Sequence, residues 1–510
     1  MKKQTIFEIM ATILIAIFCI SLTPKTLQND TFYTVKIGEH IIENGGIDMM
    51  DPFSWHEGLE YTYPHWLYDV IIYLIYSLGG MTGIYISTCI FAVILGLALY
   101  KVNSKLSKNK VISFGITIGA IYMLRDYIAA RAQLVTFILF ILQIFFIEKL
   151  ITTKQKRYGI GLIVISILIA NLHVAVWPFM FVLYMPYIAE YIIATIEEKT
   201  AKKYGKEVQQ GDKITTIKRD GTKYLVIVML ICALTGLLTP LGPTTPYTYL
   251  IKTMQGNTTQ NISEHLPMTL INCTDVLCTI IILLAILTFT DSKIRLTDLF
   301  MIGGLALLML YSKRQSTMFV IMGSVVLNRI LYECMEKWVQ NIDEKLTRTF
   351  TTKIGAFLIS LSIISLSIYF IQPKIDDAYI DEKTYPVQMS DFMLQYFEEN
   401  NINLDDVRLY NEYNYGSYLL YRGIPVFIDS RCDLYAPEYN GGQDIFMDFI
   451  ESSNINKWFE DIFEKYDITH IILYKNSKMN MIIKDGKLDG YKLLKEDDNF
   501  VFYEYSKWGR

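Results

Sequence analysis

Between residues 30 and 66, directly after a first apolar run, the chain reads DTFYTVKIGEHIIENGGIDMMDPFSWHEGLEYTYPHW. The stretch is polar and aromatic and holds three of the six histidines, His40, His56 and His65. Its acids include Asp30, Glu39, Asp48, Asp51 and Glu57. Carboxylates and imidazoles placed together are the groups that take and return protons at a reacting hydroxyl. A loop this long with no structure of its own is expected to be functional. We read it as half of an active site, with the apolar domain behind it as the other half.

Further ionisable groups sit in short turns between apolar runs: Arg125, Asp126 and Arg131, then His173, then Lys313 and Arg314. Charge at such a depth is costly and usually functional, although Lys and Arg near helix ends also snorkel to headgroups. Snorkelling is the reading for Arg125 and Lys313. Arg131 and Arg314 each have a polar partner close by, Gln133 and Gln315, and for them phosphate binding stands beside snorkelling. His173, two residues after Asn171, reads first as a hydrogen-bonded packing residue and second as a functional imidazole. An acidic outer loop facing basic turns suits transfer of a group from a membrane-held phosphate. Arginines would hold the anionic leaving group while a carboxylate deprotonates the acceptor hydroxyl. A transporter could carry the same charges.

The elements that position these groups are apolar runs. Of the 510 residues 52% are apolar, and the mean hydropathy is +0.29, too apolar for a soluble protein of this length. Runs of membrane-spanning length recur over the first three quarters, giving a polytopic α-helical membrane protein. Net charge is −4, with no basic patch or motif for nucleic acid. The seven cysteines include no CxxC pair, so neither a zinc site nor a disulfide framework is suggested.

Lys2 and Lys3 ahead of the first apolar run (residues 6–22) place the N-terminus in the cytoplasm, and no small-x-small cleavage site follows. The run 67–78 is short and carries Asp69. It is followed by Gly79-Gly80 and by 84–100, after which come Lys101, Lys105, Lys108 and Lys110 with no acid among them. Positive charge belongs inside, so residues 66–78 should lie as a helix at the outer interface, anchored by Trp66, Tyr68, Tyr73 and Tyr76. The remaining runs, 111–124, 134–147, 159–170, 174–194, 224–238, 274–289, 299–310, 316–331 and 353–371, then alternate consistently. The insert 197–223, with eight Lys/Arg, falls inside, and 239–273 forms a second long outer loop. Eleven spans result, with the C-terminus outside.

Residues 372–510 differ in kind. Residues 386–400 read as a helix with Pro near its start. Residues 407–410, 425–429 and 469–474 read as strands of a small parallel α/β sheet, with 500–505 as an antiparallel edge. The chain is thus expected as a membrane domain, 1–371, whose first outer loop and interfacial helix cover 23–80, and an extracytoplasmic α/β domain, 372–510. Asn411, Asp429, Arg431 and Asp433 fall at strand ends, where open α/β sheets bind ligands; an Asp–Arg network closing the sheet is the alternative and the preferred reading. His470 lies inside a strand, as a core residue.

Several of these segments resemble a widespread group of bacterial polytopic proteins, themselves similar to the GT-C glycosyltransferases that include protein mannosyltransferases and oligosaccharyltransferases. The segments are Asp30 after the first span, Gly38, Asn44-Gly45, Asp51-Pro52-Phe53-Ser54, His65-Trp66-Leu67, Arg131-Ala132-Gln133, Asn171-Leu172-His173, Thr239-Pro240-Leu241-Gly242 and Arg314. Asn411 with Tyr415-Gly416-Ser417-Tyr418, and Phe427 to Asp433, continue the resemblance, which covers nearly the whole chain. It implies that Asp30 is the catalytic base and that the donor is a polyprenyl-phosphate-linked sugar. It also implies that Glu264 and His265, in the second outer loop, lie where such enzymes meet substrate. The group usually has Arg-Pro-Gln where this chain has Arg131-Ala132-Gln133. No Asp-x-Asp metal motif occurs in the first loop, so no cofactor is assigned and a divalent metal has no motif behind it.

The sequence reading is therefore a glycosyltransferase in the bacterial cytoplasmic membrane. It would move sugar, with inversion, from a polyprenyl-phosphate donor to a glycan, lipid or protein acceptor of the envelope at the outer face. Asp30 is the base; Asp51, His65, Arg131, Gln133, His173 and Arg314 are substrate-binding candidates, with Glu264, Asn411, Asp429 and Arg431 behind them. Asp51-Pro52-Phe53-Ser54 reads equally as a turn with a capping Asp. The alternative function is a non-catalytic or transport component of polysaccharide assembly that keeps the fold.

Overall fold

The computed structural model describes residues 3–107, 109–205, 211, 213–256 and 258–506. Lys108, residues 206–210 of the basic insert and the last four residues lie outside that description.

A helix occupies each of the eleven expected segments: Lys3–Leu22, the later part of Trp66–Ser107, Lys110–Met123, Ala132–Thr153, Lys156–Leu172, Met185–Lys203, Thr222–Leu234, Thr274–Phe289, Leu296–Tyr311, Ser316–Trp338 and Lys353–Ile371. Among the described residues six helices are long and apolar enough to cross a membrane, and four more, of 10–17 residues, are apolar but short. At 1.5 Å per residue a 14-residue helix covers only about 21 Å of a hydrocarbon core about 30 Å thick. Length and composition alone thus qualify six crossings rather than eleven. The long helix Trp66–Ser107 is interrupted at Gly80, whose φ of 57° and ψ of −150° are non-helical and open only to a residue without Cβ. This is the break expected at Gly79-Gly80.

Packing sorts the chain into two compact units. One comprises Met1–Pro24, Tyr85–Thr239 and Ser263–Asp376, and the other Lys25–Ile84, Pro240–Ile262 and Asp377–Arg510. Residues 25–84 and 240–262 therefore group with the C-terminal residues, whereas the sequence reading places them with residues 1–371.

Within the first unit, three guanidinium groups and three carboxylates from distant segments form one buried network. Arg219 reaches Glu190 (2.7 Å) and Glu148 (3.3 Å), and Arg295 reaches Glu148 (3.1 Å) and Asp298 (2.8 Å). Arg329 reaches Glu148 (2.9 Å) and Asp298 (2.7 Å). Buried charges persist only when paired and hydrogen-bonded, and here each carboxylate meets at least one arginine while the charges balance. Tyr187 adds its hydroxyl to Glu148 (3.1 Å). Across the same unit, Lys374 donates to the carbonyls of Ser21 (3.1 Å) and Leu22 (2.8 Å), closing the last helix onto the first.

In the second unit the sheet has four strands in the order Leu409–Tyr410, His470–Tyr474, Phe500–Tyr505, Tyr491–Glu496. The first pair is parallel and the other two antiparallel. Strand 500–505 lies inside the sheet, and the edge is 491–496, which the sequence reading does not anticipate. Residues 425–429 are no strand; they make only an isolated bridge, Val426 with Ser54. Side chains satisfy their backbone instead. Asn411 accepts from the Phe427 N–H (2.8 Å) and donates to the Ile428 carbonyl (2.7 Å), while His56 Nε2 lies 2.8 Å from the Phe427 carbonyl. Paired in this way, the segment needs no ladder. Helix Val387–Glu399 forms as expected, and His470 is buried against Phe397 and Phe502.

Candidate functional site

Asp30 is the second residue of a helix, Asn29–Asn44, that the first loop folds for itself. The N-cap is Gln28, which makes no side-chain cap bond; Asp30 is therefore not the cap, and its half-buried carboxylate lies in the first turn, where a negative charge suits the helix dipole. The neighbouring Asn29 fixes the turn by donating to the Tyr413 carbonyl (2.9 Å). Farther along, Gly38 allows the loop helix to lie against the start of helix Trp66–Ser107: a Cβ there would stand 2.2 Å from the Asp69 carbonyl oxygen. Tyr33, one turn after Asp30, stacks on His65 at 6.0 Å between centroids. His65 Nδ1 lies 3.3 Å from the fully buried Asp69 carboxylate. A carboxylate behind a ring nitrogen fixes the ring's orientation. Tyr33, His65 and Asp69 thus line the contact between the loop helix and the start of helix Trp66–Ser107, with Asp30 one turn before Tyr33.

Asp51 has a different environment. Its carboxylate is fully buried and accepts from Arg431 (2.6 Å), the Phe53 N–H (3.2 Å) and the Ser54 N–H (3.0 Å). Arg431 also binds Asp429 through Nε (2.9 Å) and Nη2 (2.7 Å). The guanidinium lies over the rings of Tyr61 (5.1 Å) and Phe53 (5.4 Å), and Tyr435 donates to Asp429 (2.6 Å). Burial pushes the Asp51 carboxyl up, but the Arg431 charge and the Ser54 bonds outweigh it and hold it below the usual carboxylate range. Asn411, Asp429 and Arg431 are all buried. Together with Asp51 and His56 they join the first loop to the C-terminal residues, the network role weighed in the sequence reading.

In the first unit, Arg131 Nη1 lies 3.2 Å from Glu264. The Arg314 N–H donates to the Glu264 carbonyl (3.0 Å), and the Lys313 N–H donates to that of Leu266 (2.8 Å). Glu264 is thereby strapped to the Arg314 turn with its carboxylate on Arg131. Burial raises the Glu264 carboxyl, and the charges of Arg131 and Arg314 bring it below its ordinary value. Burial, followed by the Arg314 charge, pushes His265 down to about 4, so its imidazole is neutral near pH 7. Arg131 is the N-cap of helix Ala132–Thr153, which puts Ala132 at the first helical position. Proline is equally at home there, which accounts for the Arg-Pro-Gln variant. Gln133 is buried in the same turn. His173 is buried at the end of helix Lys156–Leu172, and Asn171 beside it donates to the carbonyls of Ile167 (2.8 Å) and Leu238 (3.1 Å). The structure gathers Arg131, Glu264 and Arg314 and leaves His173 in a separate turn.

Among the described residues no three His, Cys, Asp or Glu side chains gather as they would to hold a metal ion. Asp51 and Asp429 already direct their oxygens at Arg431.

Glu412, which the sequence reading does not single out, stands at the N-cap position of helix Tyr413–Tyr421 without a side-chain cap bond and accepts from the Tyr474 N–H (3.3 Å). Burial raises its carboxyl to about 7, against the lowering effect of that bond. The folded state therefore holds this proton more tightly than the unfolded chain. Stability should be highest below about pH 4 to 5 as far as this group is concerned and fall as pH rises to 7 and above. Glu412→Gln should flatten that part of the stability–pH profile in a thermal melt; an unchanged slope between pH 5 and 8 would count against the burial account.

No protein-family model matches the sequence, and no curated protein does. Solved structures do. The archaeal oligosaccharyltransferase AglB from Archaeoglobus fulgidus, in complex with an inhibitory peptide and a dolichol-phosphate, matches with a TM-score of 0.53 and 11% identity over 100% of this chain and 75% of that one. The A. fulgidus oligosaccharyltransferase tethered to an acceptor peptide containing the NVT sequon gives 0.53 and 12% over 98% and 74%. Its apo form gives 0.52 and 12% over 99% and 75%. This chain shares the fold of these oligosaccharyltransferase structures over its whole length.

Proposed function

We propose, from that shared fold, that the protein is a membrane glycosyltransferase using a polyprenyl-phosphate-linked sugar at the outer face of the bacterial cytoplasmic membrane. The observation that carries the reading is Asp30, which the first loop presents half-buried in the opening turn of its own helix, one turn before the Tyr33 that stacks on His65. In the reaction the acceptor hydroxyl gives its proton to Asp30 as its oxygen bonds the anomeric carbon. The carbon–oxygen bond to phosphate breaks, and the polyprenyl phosphate leaves with the electron pair. A single displacement of this kind inverts the anomeric centre. Arg131 and Arg314 are assigned to the phosphate, for which guanidinium offers paired donors. The oligosaccharyltransferase of like fold is described with a dolichol-phosphate, which supports a lipid phosphate as donor here. Asp51, Asp429, Arg431 and Asn411 are assigned to holding the loop, and His65 to substrate contact.

The purified protein, given polyprenyl-phosphate sugars labelled in the glycosyl group, should move label into an envelope acceptor fraction. Label retained in lipid with every donor tried would overturn the reading in favour of a transport component.

The topology that goes with it has the insert 197–223 inside and the C-terminal residues outside. A cysteine at Ser506 should react with impermeant maleimide in intact cells, and one at Gln209 only after lysis. Equal labelling of both would refute the arrangement.

A further inference from the structure

Residues 266–274 read LPMTLINCT and carry no charge. The sequence places them at the end of an outer loop, yet Leu270 is 77% exposed and Ile271 94%. One exposed apolar residue is ordinary, but here two adjoin on a segment that is held in place. Upstream, Leu266 is tied to the Lys313 turn, and the Met268 N–H donates to the Met309 carbonyl (3.4 Å). Downstream, the helix Thr274–Phe289 begins at once.

Between these anchors the turn closes its polar groups on itself. The Thr269 N–H donates to Asn272 Oδ1 (2.7 Å), and the Asn272 N–H to Thr269 Oγ1 (3.3 Å). Asn272 Nδ2 donates to the Pro267 carbonyl (3.3 Å), and Thr274 Oγ1 to the Leu270 carbonyl (2.7 Å). The Cys273 N–H donates to the Thr269 carbonyl (3.2 Å), and Pro267 has no N–H to satisfy. A loop in water leaves such pairing to the solvent, whereas a segment among acyl chains has to make it internally. Asn272 and Thr269 direct their polar atoms into the turn, and Leu270 and Ile271 are what it exposes.

The helix that follows is a second, independent observation. Its 16 residues rise about 24 Å, and a hydrocarbon core is about 30 Å thick. Ile281, Ile282 and Leu284 are exposed along it, and the turn prolongs that apolar surface beyond its first residue. The extension offsets a mismatch that would otherwise thin the bilayer. Asp275, the only charged residue between 266 and 289, is paired with Arg125 (3.4 Å).

We propose that the turn 267–272 is seated at the boundary of headgroups and acyl chains, and that Leu270 and Ile271 anchor the Glu264–Arg314 strap to the bilayer. The leaflet is the outer one in the topology given under Proposed function. The partner is bulk phospholipid, met through its acyl chains, so the anchor stands whether or not the protein moves a sugar.

The test uses full-length protein in phospholipid nanodiscs, with the photoreactive residue p-benzoylphenylalanine at one position at a time. Intact mass after irradiation gives the yield of phospholipid adduct. Ile271 is almost wholly exposed, so its replacement disturbs no packing. Position 282 is the lipid reference, and position 492, an exposed lysine of the terminal sheet, the aqueous one. The yield at 271 should match that at 282 and exceed that at 492 several-fold. A yield at 271 no higher than at 492 overturns the proposal, and so does a cross-link there to a second polypeptide in place of lipid. Hydrogen exchange at the Lys313 and Arg314 amides, which donate to the Leu266 and Glu264 carbonyls, reads the anchoring separately. Leu270→Ser with Ile271→Ser should speed that exchange about tenfold or more, the size of effect expected for the lost apolar burial of two side chains. Unchanged exchange overturns the anchor even where position 271 reaches lipid.

Discussion

Asp30→Asn is expected to leave the protein folded and membrane-inserted while sugar transfer falls by about 10²–10⁴-fold, the range over which a positioned general base acts. Asparagine keeps the shape of the side chain and cannot accept the proton. Asp30 is not the N-cap of its helix, and its charge in the first turn contributes about 0.3–1 kcal/mol through the helix dipole. The loop helix is held by other groups: Asn29 on Tyr413, and Gly38 against Asp69. A fall in kcat with unchanged donor affinity and an unchanged melting temperature would identify the base. Near-normal transfer by purified Asp30→Asn protein would remove the base assignment. A parallel fall in expression or melting temperature would assign Asp30 to folding instead.

The second large effect is expected at Arg431. Its side chain is almost wholly buried between Asp51 and Asp429, whose side chains are fully buried. Arg431→Met removes the cation and leaves two carboxylates without their partner, a change that costs about 3–5 kcal/mol at buried pairs. Because Asp51 belongs to the first loop, the loss should appear there first, as proteolysis between Asp48 and Tyr61 at temperatures where the parent resists. Adding Asp51→Asn and Asp429→Asn should recover much of the stability, since the network would then hold no unpaired charge. Arg431→Met as stable as the parent would contradict the account. The pH dependence has a definite sign. The folded Asp51 carboxyl lies below its ordinary value; its contribution is complete above about pH 4 and is lost as pH falls through the folded value.

Apolar runs by themselves located the helices, because a segment with no polar face has to be buried in lipid or protein wherever it folds. Gly79-Gly80 marked the interruption in the helix that follows the loop, since only glycine adopts that backbone without strain. Strands 409–410, 470–474 and 500–505 were legible from their β-branched and aromatic content. Arg131 and Arg314 could be picked out as charged groups close to apolar runs, and Glu264 through the family resemblance, although their convergence could not. Partners separated by long stretches of chain were decided only by tertiary structure. Asp51 pairs with Arg431 380 residues away, and no local pattern relates two such residues. Residues 425–429 have the composition of a strand, yet Asn411 and His56 take their backbone groups. The six-charge network of Glu148, Glu190, Arg219, Arg295, Asp298 and Arg329 was hidden in the same way. Each charge alone reads as a solvated group at a helix end, and only the packing of the helices brings opposite charges within hydrogen-bond distance, where burial makes the pairing obligatory.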